Sequence, residues 1–314
     1  MLIQAPTRIY RSWVADSRRW DAYRPRAGDI VISTYPKSGT TWMQQIIGLL
    51  VFQSDEPRPV TEIGDWLERR SAPGDTLEQL MAMFEAQTHR RFIKSHLPLD
   101  GLPFYDEVKY IHVARDGRDA CLSYHNHCSG FSDHQHAALD ANGLGDETIA
   151  RTYPRATADA AEFFRRWMSE GLGGAQDGMP FLSWFDFERT FWAKRHEPNV
   201  LLVHYRDLKA DLDGEMRRIS SFLGIETPEA LWPKLVKAAT FAEMRRKGDQ
   251  IAPKMMQRFQ GGAERFFHKG ENERWHGVLT DADIAAYEAK VRERLEPDCA
   301  AWLRSGRLAS NTKL

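Results

Sequence analysis

Four short stretches of the chain are apolar and rich in β-branched residues: "GDIVIST", "RRFIKSH", "KYIHVAR" and "NVLLVHY". Each is bounded by polar or turn-forming residues, the pattern of a strand buried on both faces. Strands are therefore predicted over residues 28–34, 90–96, 109–115 and 199–205. Helical spacing follows the first of them. Trp42, Met43, Ile46, Ile47, Leu49 and Leu50 predict a buried helix over residues 40–52, with Ser38 or Thr40 placed to cap it. "DGRDACLSYHNH" reads as a turn leading into a helix, and "RDLKADLDGEMRRISSFLG" as one amphipathic helix ending at Gly224. From about Pro228 onward the pattern is of helices and loops. Strands alternating with helices imply βαβ units. The expected fold is α/β: a single domain over residues 1–314, with a central parallel β-sheet flanked by helices.

Composition narrows the class without naming a function. The chain has 314 residues, 42% hydrophobic and 28% charged, with a net charge of −1. That length supports a sizeable core, and the charge balance gives no general case for nucleic acid or an anionic membrane. Three cysteines (Cys121, Cys128, Cys299) are too few for a disulfide framework and fit a reducing compartment. The longest apolar run, "IIGLLVF", is far short of the ~20 residues that span a bilayer. The first residues, "MLIQAPTRIYRSW", lack the apolar stretch of a signal peptide. A cytoplasmic, soluble protein is expected. With 10 Trp, 16 Phe and 9 Tyr, the aromatics suit a core and also an apolar ligand pocket.

The candidate chemistry lies where the strands end, since an open parallel sheet binds ligands beyond its carboxyl edge. "TYPKSGTTW" leads from the first strand into the first helix and looks like a phosphate loop. A Walker A loop has its Lys after the second Gly, whereas Lys37 precedes Gly39. Small residues there let backbone N–H groups approach an anion at a helix N-terminus. Lys94 and His96 close the second strand at i, i+2 and so share a side, and His is the usual general base near neutral pH. Arg115 follows the third strand, and Ser123 stands about two turns into the next helix, so both can reach one phosphate. "ERFFHKGENERW" adds Lys269 and Gly270 in a predicted loop.

In this order and spacing, the four pieces resemble the cytosolic-type sulfotransferase family, in a bacterial-like member; its enzymes use 3′-phosphoadenosine-5′-phosphosulfate (PAPS). The resemblance runs from about Gly28 to Thr280. "TYPKSGTTW" is similar to the family's 5′-phosphosulfate loop, "KSHLP" to its Lys-Thr-His-Leu-Pro, and "ARDGRDACLSY" to its 3′-phosphate segment. "NVLLVHYRDLKAD", "SWFDFERTFW" and "TFAEM" resemble three further segments. The resemblance implies that Lys37, Ser38, Gly39, Thr40 and Thr41 hold the 5′-phosphosulfate. It implies an adenine site of Trp42, Tyr205, Thr240 and Phe241, and a 3′-phosphate site of Arg115, Ser123, His268, Lys269 and Gly270. His96 is implied as catalytic base. Lys37 and Lys94 are implied to stabilise developing charge, and Ser123 also to restrain Lys37. The products would be a sulfated acceptor and adenosine 3′,5′-bisphosphate (PAP), with no metal required.

Besides Ser95 in place of the family's Thr, the chain departs from the family at three places. His268 stands where the closing loop usually has Arg, and Ala239 where a hydroxyl residue is frequent. "HGVLTDADIA" keeps only Thr280 of the short dimerisation motif, so dimerisation through that motif is not implied, while a homodimer stays open. The expected acceptor is a small hydroxylated, partly hydrophobic molecule, with amines also open. Phe84, Phe104, Trp66 and Trp184 are candidates for its pocket. Two rival readings are a P-loop kinase, which would want a Mg²⁺-holding Asp at a strand end, and a non-catalytic nucleotide-binding module. A third is metal binding by the His- and Cys-rich residues 121–136, whose spacing matches no closed zinc pattern.

Overall fold

Strands β1 (Ile30–Ser33), β2 (Phe92–Ser95), β3 (Lys109–Ala114) and β4 (Val200–His204) form a parallel sheet in the order β2-β1-β3-β4. This is the arrangement in a computed structural model that describes residues 1–70 and 76–310. Register is set by pairs such as Ser33 with Ser95 and with His112, and Ala114 with His204. The four carboxyl ends therefore finish at one edge.

Alternation along the strands divides the core in two. Ile30, Ile32, Phe92, Ile111, Val113 and Val203 face one side. Val31, Ile93, Tyr110, Ala114 and Leu202 face the other. Both sets are apolar because helices cover both faces. The helices used below are α1 (Thr40–Phe52), α2 (Gly117–Cys128), α3 (Trp184–Trp192), α4 (Leu212–Leu223), α5 (Trp232–Ala239) and α6 (Phe241–Arg246). Met43, Ile46 and Ile47 of α1, Met216 and Ile219 of α4 and Leu235 of α5 pack on the first face. Ala120 and Cys121 of α2 and Phe187 and Phe191 of α3 pack on the second. Burying each Ile- or Phe-sized side chain contributes about 1.5–3 kcal/mol.

His112 of β3 is a polar residue at the middle of the sheet, and the structure supplies its partners. His112 of β3 and Glu188 of α3 are both fully buried, with Nε2 and the carboxylate 2.7 Å apart. His112 Nδ1 lies 3.0 Å from the Ser33 carbonyl, and its ring stacks on Phe191 at 4.2 Å. This pair ties the middle of the sheet to the helix beneath it.

Two sequence expectations change. Neither Ser38 nor Thr40 caps α1. Gly39 occupies the N-cap in a left-handed conformation and makes no side-chain cap. The Thr40 hydroxyl instead bonds the Thr34 hydroxyl at 2.5 Å. The amphipathic stretch after β4 is two helices rather than one, because Asp211 turns to an extended φ of −146° and accepts from the N–H of Gly214 at 2.9 Å. An Asp competes for backbone donors and so favours a cap over a helix interior. Among the described residues, no helix is long and apolar enough to cross a membrane.

Candidate active site

The loop from β1 to α1 is built as an anion cradle. Lys37 has φ of +70° and Gly39 of +115°, the left-handed turns that curl successive N–H groups toward one concavity. Strain of this kind costs a non-glycine residue of order 1 kcal/mol and persists where the surroundings enforce it. Only Gly is free of that cost at 39, where a Cβ would also come within 3.0 Å of Tyr205. With no side chain capping α1, its first N–H groups remain available to a ligand. The Ser38 hydroxyl is fully buried and has no protein partner. A buried hydroxyl left unpaired costs about 1–3 kcal/mol, so its presence here fits a site completed by an anionic group.

Lys37 lines the cleft from the loop after β1 and Lys94 from β2 itself. Burial, with the cations Arg115 and Lys94 nearby, pulls the Lys37 ammonium down to about 8. Burial and Arg258 do the same to Lys94, also to about 8. The Lys37 Nζ lies 3.5 Å from Nδ1 of His127 and 5.0 Å from the Phe266 ring. In this structure its contact is therefore with His127, not with Ser123. Lys94 Nζ sits 5.0 Å over Trp66.

His96 has a defined tautomer. Its Nδ1 is 2.7 Å from the Thr34 carbonyl, which can only accept, so Nδ1 carries the proton and Nε2 offers a lone pair. Burial, then Lys94, hold the ring well below the usual histidine range and keep it neutral. Glu68 holds this strand end in place. Its fully buried carboxylate accepts the His96 backbone N–H at 2.6 Å, the Ser95 hydroxyl at 3.0 Å and the Trp20 indole at 2.9 Å. It also accepts the indole of Trp66, whose ring meets His96 edge-on at 5.0 Å. Reading residue types along the chain did not single out Glu68; only its convergence with the end of β2 does.

At the other end of the cleft, Arg115 donates to the Lys37 carbonyl at 3.2 Å and the Glu271 carbonyl at 2.5 Å, while its buried Nε has no protein partner. Its guanidinium lies 4.4 Å over Tyr205, whose ring meets Trp42 edge-on at 5.2 Å. Trp42 is fixed by an indole hydrogen bond of 2.8 Å to the Ala239 carbonyl. Ser123, Phe241, His268, Lys269 and Gly270 line the same cleft. Gly270 has φ of +64°, and a Cβ there would lie 2.8 Å from Phe241. Thr240 does not line the cleft. It caps α6, accepting from the Glu243 N–H at 3.3 Å and donating to Lys237 at 2.8 Å.

The cleft therefore gathers every candidate site residue except Thr240 and Ser38; Ser38 is buried within the loop that lines it. The pocket candidates divide. Trp66 lines the cleft, whereas Phe84, Phe104 and Trp184 are core side chains. The aromatic wall comes instead from Phe131, Phe181, Phe266 and Phe267. The last two adjoin the closing loop in the sequence, a usable signal. Phe131 and Phe181 reach the cleft from distant segments and carry none. The His- and Cys-rich stretch is dispersed among other contacts. Cys128 meets the Tyr153 hydroxyl at 3.3 Å, His125 the Thr157 carbonyl at 2.8 Å, and His127 meets Lys37. Among the described residues, no group of three or more His, Cys, Asp or Glu could hold a metal ion.

Comparison with known proteins agrees with this geometry. Residues 27–297 match the model of the sulfotransferase domain. A glycolipid sulfotransferase of Mycobacterium tuberculosis is 37% identical over 312 residues, covering 95% of this chain and 94% of its own. Sulfotransferase 1E1 of Cavia porcellus is 26% identical over 244 residues, 76% of this chain and 72% of its own. The fold is shared with mouse sulfotransferase SULT7A1 complexed with PAP, at a TM-score of 0.66, 20% identity and coverage of 91% and 92%. It is shared equally with retinol dehydratase in a complex with retinol and PAP, at a TM-score of 0.66, 21% identity and coverage of 89% and 84%.

Proposed function

This chain belongs to the sulfotransferase family, and we propose on that footing that it moves a sulfuryl group from PAPS to a hydroxyl of a partly hydrophobic acceptor. The observation that carries the proposal is one cleft with two unlike ends. One end has the uncapped start of α1, the partnerless Ser38 hydroxyl, Lys37 and Arg115. The other has His96 with a free Nε2 among Trp66 and Phe181. The bound donor would supply an activated sulfur with PAP as leaving group.

The chain's residues then divide the work. His96 Nε2 takes the proton of the acceptor hydroxyl as its oxygen bonds to sulfur, a step typically contributing about 10²–10⁴-fold in rate. The bond from sulfur to the phosphate oxygen breaks, and Lys37 with the N–H groups of residues 39–42 stabilises the charge that this oxygen gains. Lys94 faces the sulfuryl oxygens. Trp42, Tyr205 and Phe241 hold the adenine, and Arg115, Ser123, Lys269 and Gly270 the 3′-phosphate. His268, neutral beside them, adds at most a neutral donor. For Thr240 the hydroxyl engaged at α6 supports a structural part, with only its position next to Phe241 bearing on the adenine. We read residues 1–314 as one domain acting in the cytoplasm, which its three unpaired cysteines support.

A glycolipid acceptor is one specific form of this reading, favoured by the 37% identical relative that bears that name. The test supplies labelled PAPS with a panel of phenols, sterols, amines and glycolipids and follows the label. Transfer to a hydroxyl-bearing amphiphile is expected. PAP binding with no transfer to any acceptor would instead favour a nucleotide-binding module, and turnover requiring Mg²⁺-ATP a kinase. His96→Ala should keep PAP affinity and lose turnover by roughly 10²-fold or more.

A further inference from the structure

Arg274, a basic side chain of the closing loop, has no part in the site described so far. It lines the same end of the cleft as Arg115, His268 and Lys269. Its backbone is anchored there. The N–H groups of Glu273 and Arg274 donate to the Asp119 carboxylate at 2.8 and 2.9 Å. Asp119 and Ser123 lie four residues apart on α2 and so share a helix face. Arg115 grips the same loop through the Glu271 carbonyl.

The Arg274 side chain is half-buried. Among the described residues its guanidinium makes no ion pair and no hydrogen bond; only its backbone N–H is engaged. Its charged neighbours are the cation Arg115 and the carboxylates of Glu271 and Asp119, the latter already engaged by two backbone N–H groups. Burial and then Arg115 lower its pKa, and Arg274 in turn helps to hold His268 below the usual histidine range. Placing guanidinium groups together in a half-buried position is unfavourable unless an anion joins them. Two forked guanidinium groups approaching from separate segments match the oxygens of a phosphomonoester. His268, neutral here and with Nδ1 buried and partnerless, does not supply that charge.

We propose that Arg274 binds the 3′-phosphate of the donor opposite Arg115, as the second forked cation of that subsite; this rests on the PAPS reading above. The ligand class is a nucleoside bisphosphate, and the discriminating feature is its terminal phosphomonoester.

The test titrates the unaltered protein, Arg274→Ala and Arg274→Lys with PAP and with 5′-AMP, which lacks the 3′-phosphate. Losing one charge-assisted contact should weaken PAP binding roughly 10- to 100-fold in the Ala variant. The Lys variant should recover part of that loss, and 5′-AMP affinity should stay within about twofold in both. Unchanged PAP affinity in Arg274→Ala, or equal losses for PAP and 5′-AMP in either variant, would overturn the assignment. If the unaltered protein bound no PAP, the donor reading itself would fail, and that result is distinct from a failure of Arg274 alone.

Discussion

His96 donates from Nδ1 to the Thr34 carbonyl, and burial beside Lys94 keeps the ring neutral to well below pH 6.5. Burial lowers Lys37 and Lys94 as well, so their ammonium forms persist only up to about 8 in the free protein. In the proposed roles His96 must be neutral and the two lysines charged, so the free protein would be competent below about 8 and lose competence as the lysines deprotonate. The expected kcat/KM for the donor is flat near neutrality and falls above about pH 8. At saturating donor the phosphosulfate favours both ammonium groups, so the basic limb of kcat should move up. A limb that stays at about 8 would separate the lysines from the donor. Arg115→Ala leaves a phosphate charge without its forked partner and should weaken PAP binding by about 2–4 kcal/mol. Glu68→Gln keeps shape but replaces one acceptor oxygen by a donor facing N–H or O–H groups. A stability loss of about 2–3 kcal/mol in urea is expected, with lower kcat because the His96 N–H loses its anchor.

At the scale of elements, the two segments proposed to bind phosphate each depend on one glycine. Gly39 ends a turn with φ of +115°, and its missing side chain makes room for Tyr205; Gly270, with φ of +64°, lets the closing loop pass over Phe241. Gly39→Ala and Gly270→Ala should each add about 1–3 kcal/mol of strain. Because Gly270 lies in a loop and Gly39 at the start of α1, Gly270→Ala should mainly weaken PAP binding, whereas Gly39→Ala should do so and lower Tm. Equal effects on Tm would argue against this division. The break at Asp211 shows the same logic in reverse: a polar side chain offers the backbone an alternative partner and ends a helix that periodicity alone continues.

For the whole molecule, the ligand site is the meeting point of segments far apart in the chain, from residue 14 to residue 274. Its half-buried cations repel one another until an anion arrives, so binding should stabilise the fold. At a hundredfold excess over Kd, PAP should add about 2.7 kcal/mol, read as a rise in Tm that high salt reduces. No rise would count against a preformed anion site.

Much of this was legible in the sequence. The four strands, α1 and α2 follow from apolar runs and from a 3.6-residue period, because burial on two faces leaves little choice of residue type. Lys37, Lys94, His96 and Arg115 were visible because each stands next to a strand end, and parallel strands deliver their ends to one edge. The remainder depended on three-dimensional approach. Glu68, His127, Phe181 and Arg274 sit on segments with no strand-end signal. Phe84, Phe104 and Trp184 looked like pocket aromatics, yet packing directed them to the core. Sequence by itself determined which residues must be buried and where charge meets the sheet edge, since both are local properties of the chain. Only tertiary structure decided which side chains face the ligand and which lack a partner, since those depend on the distance between residues remote in sequence.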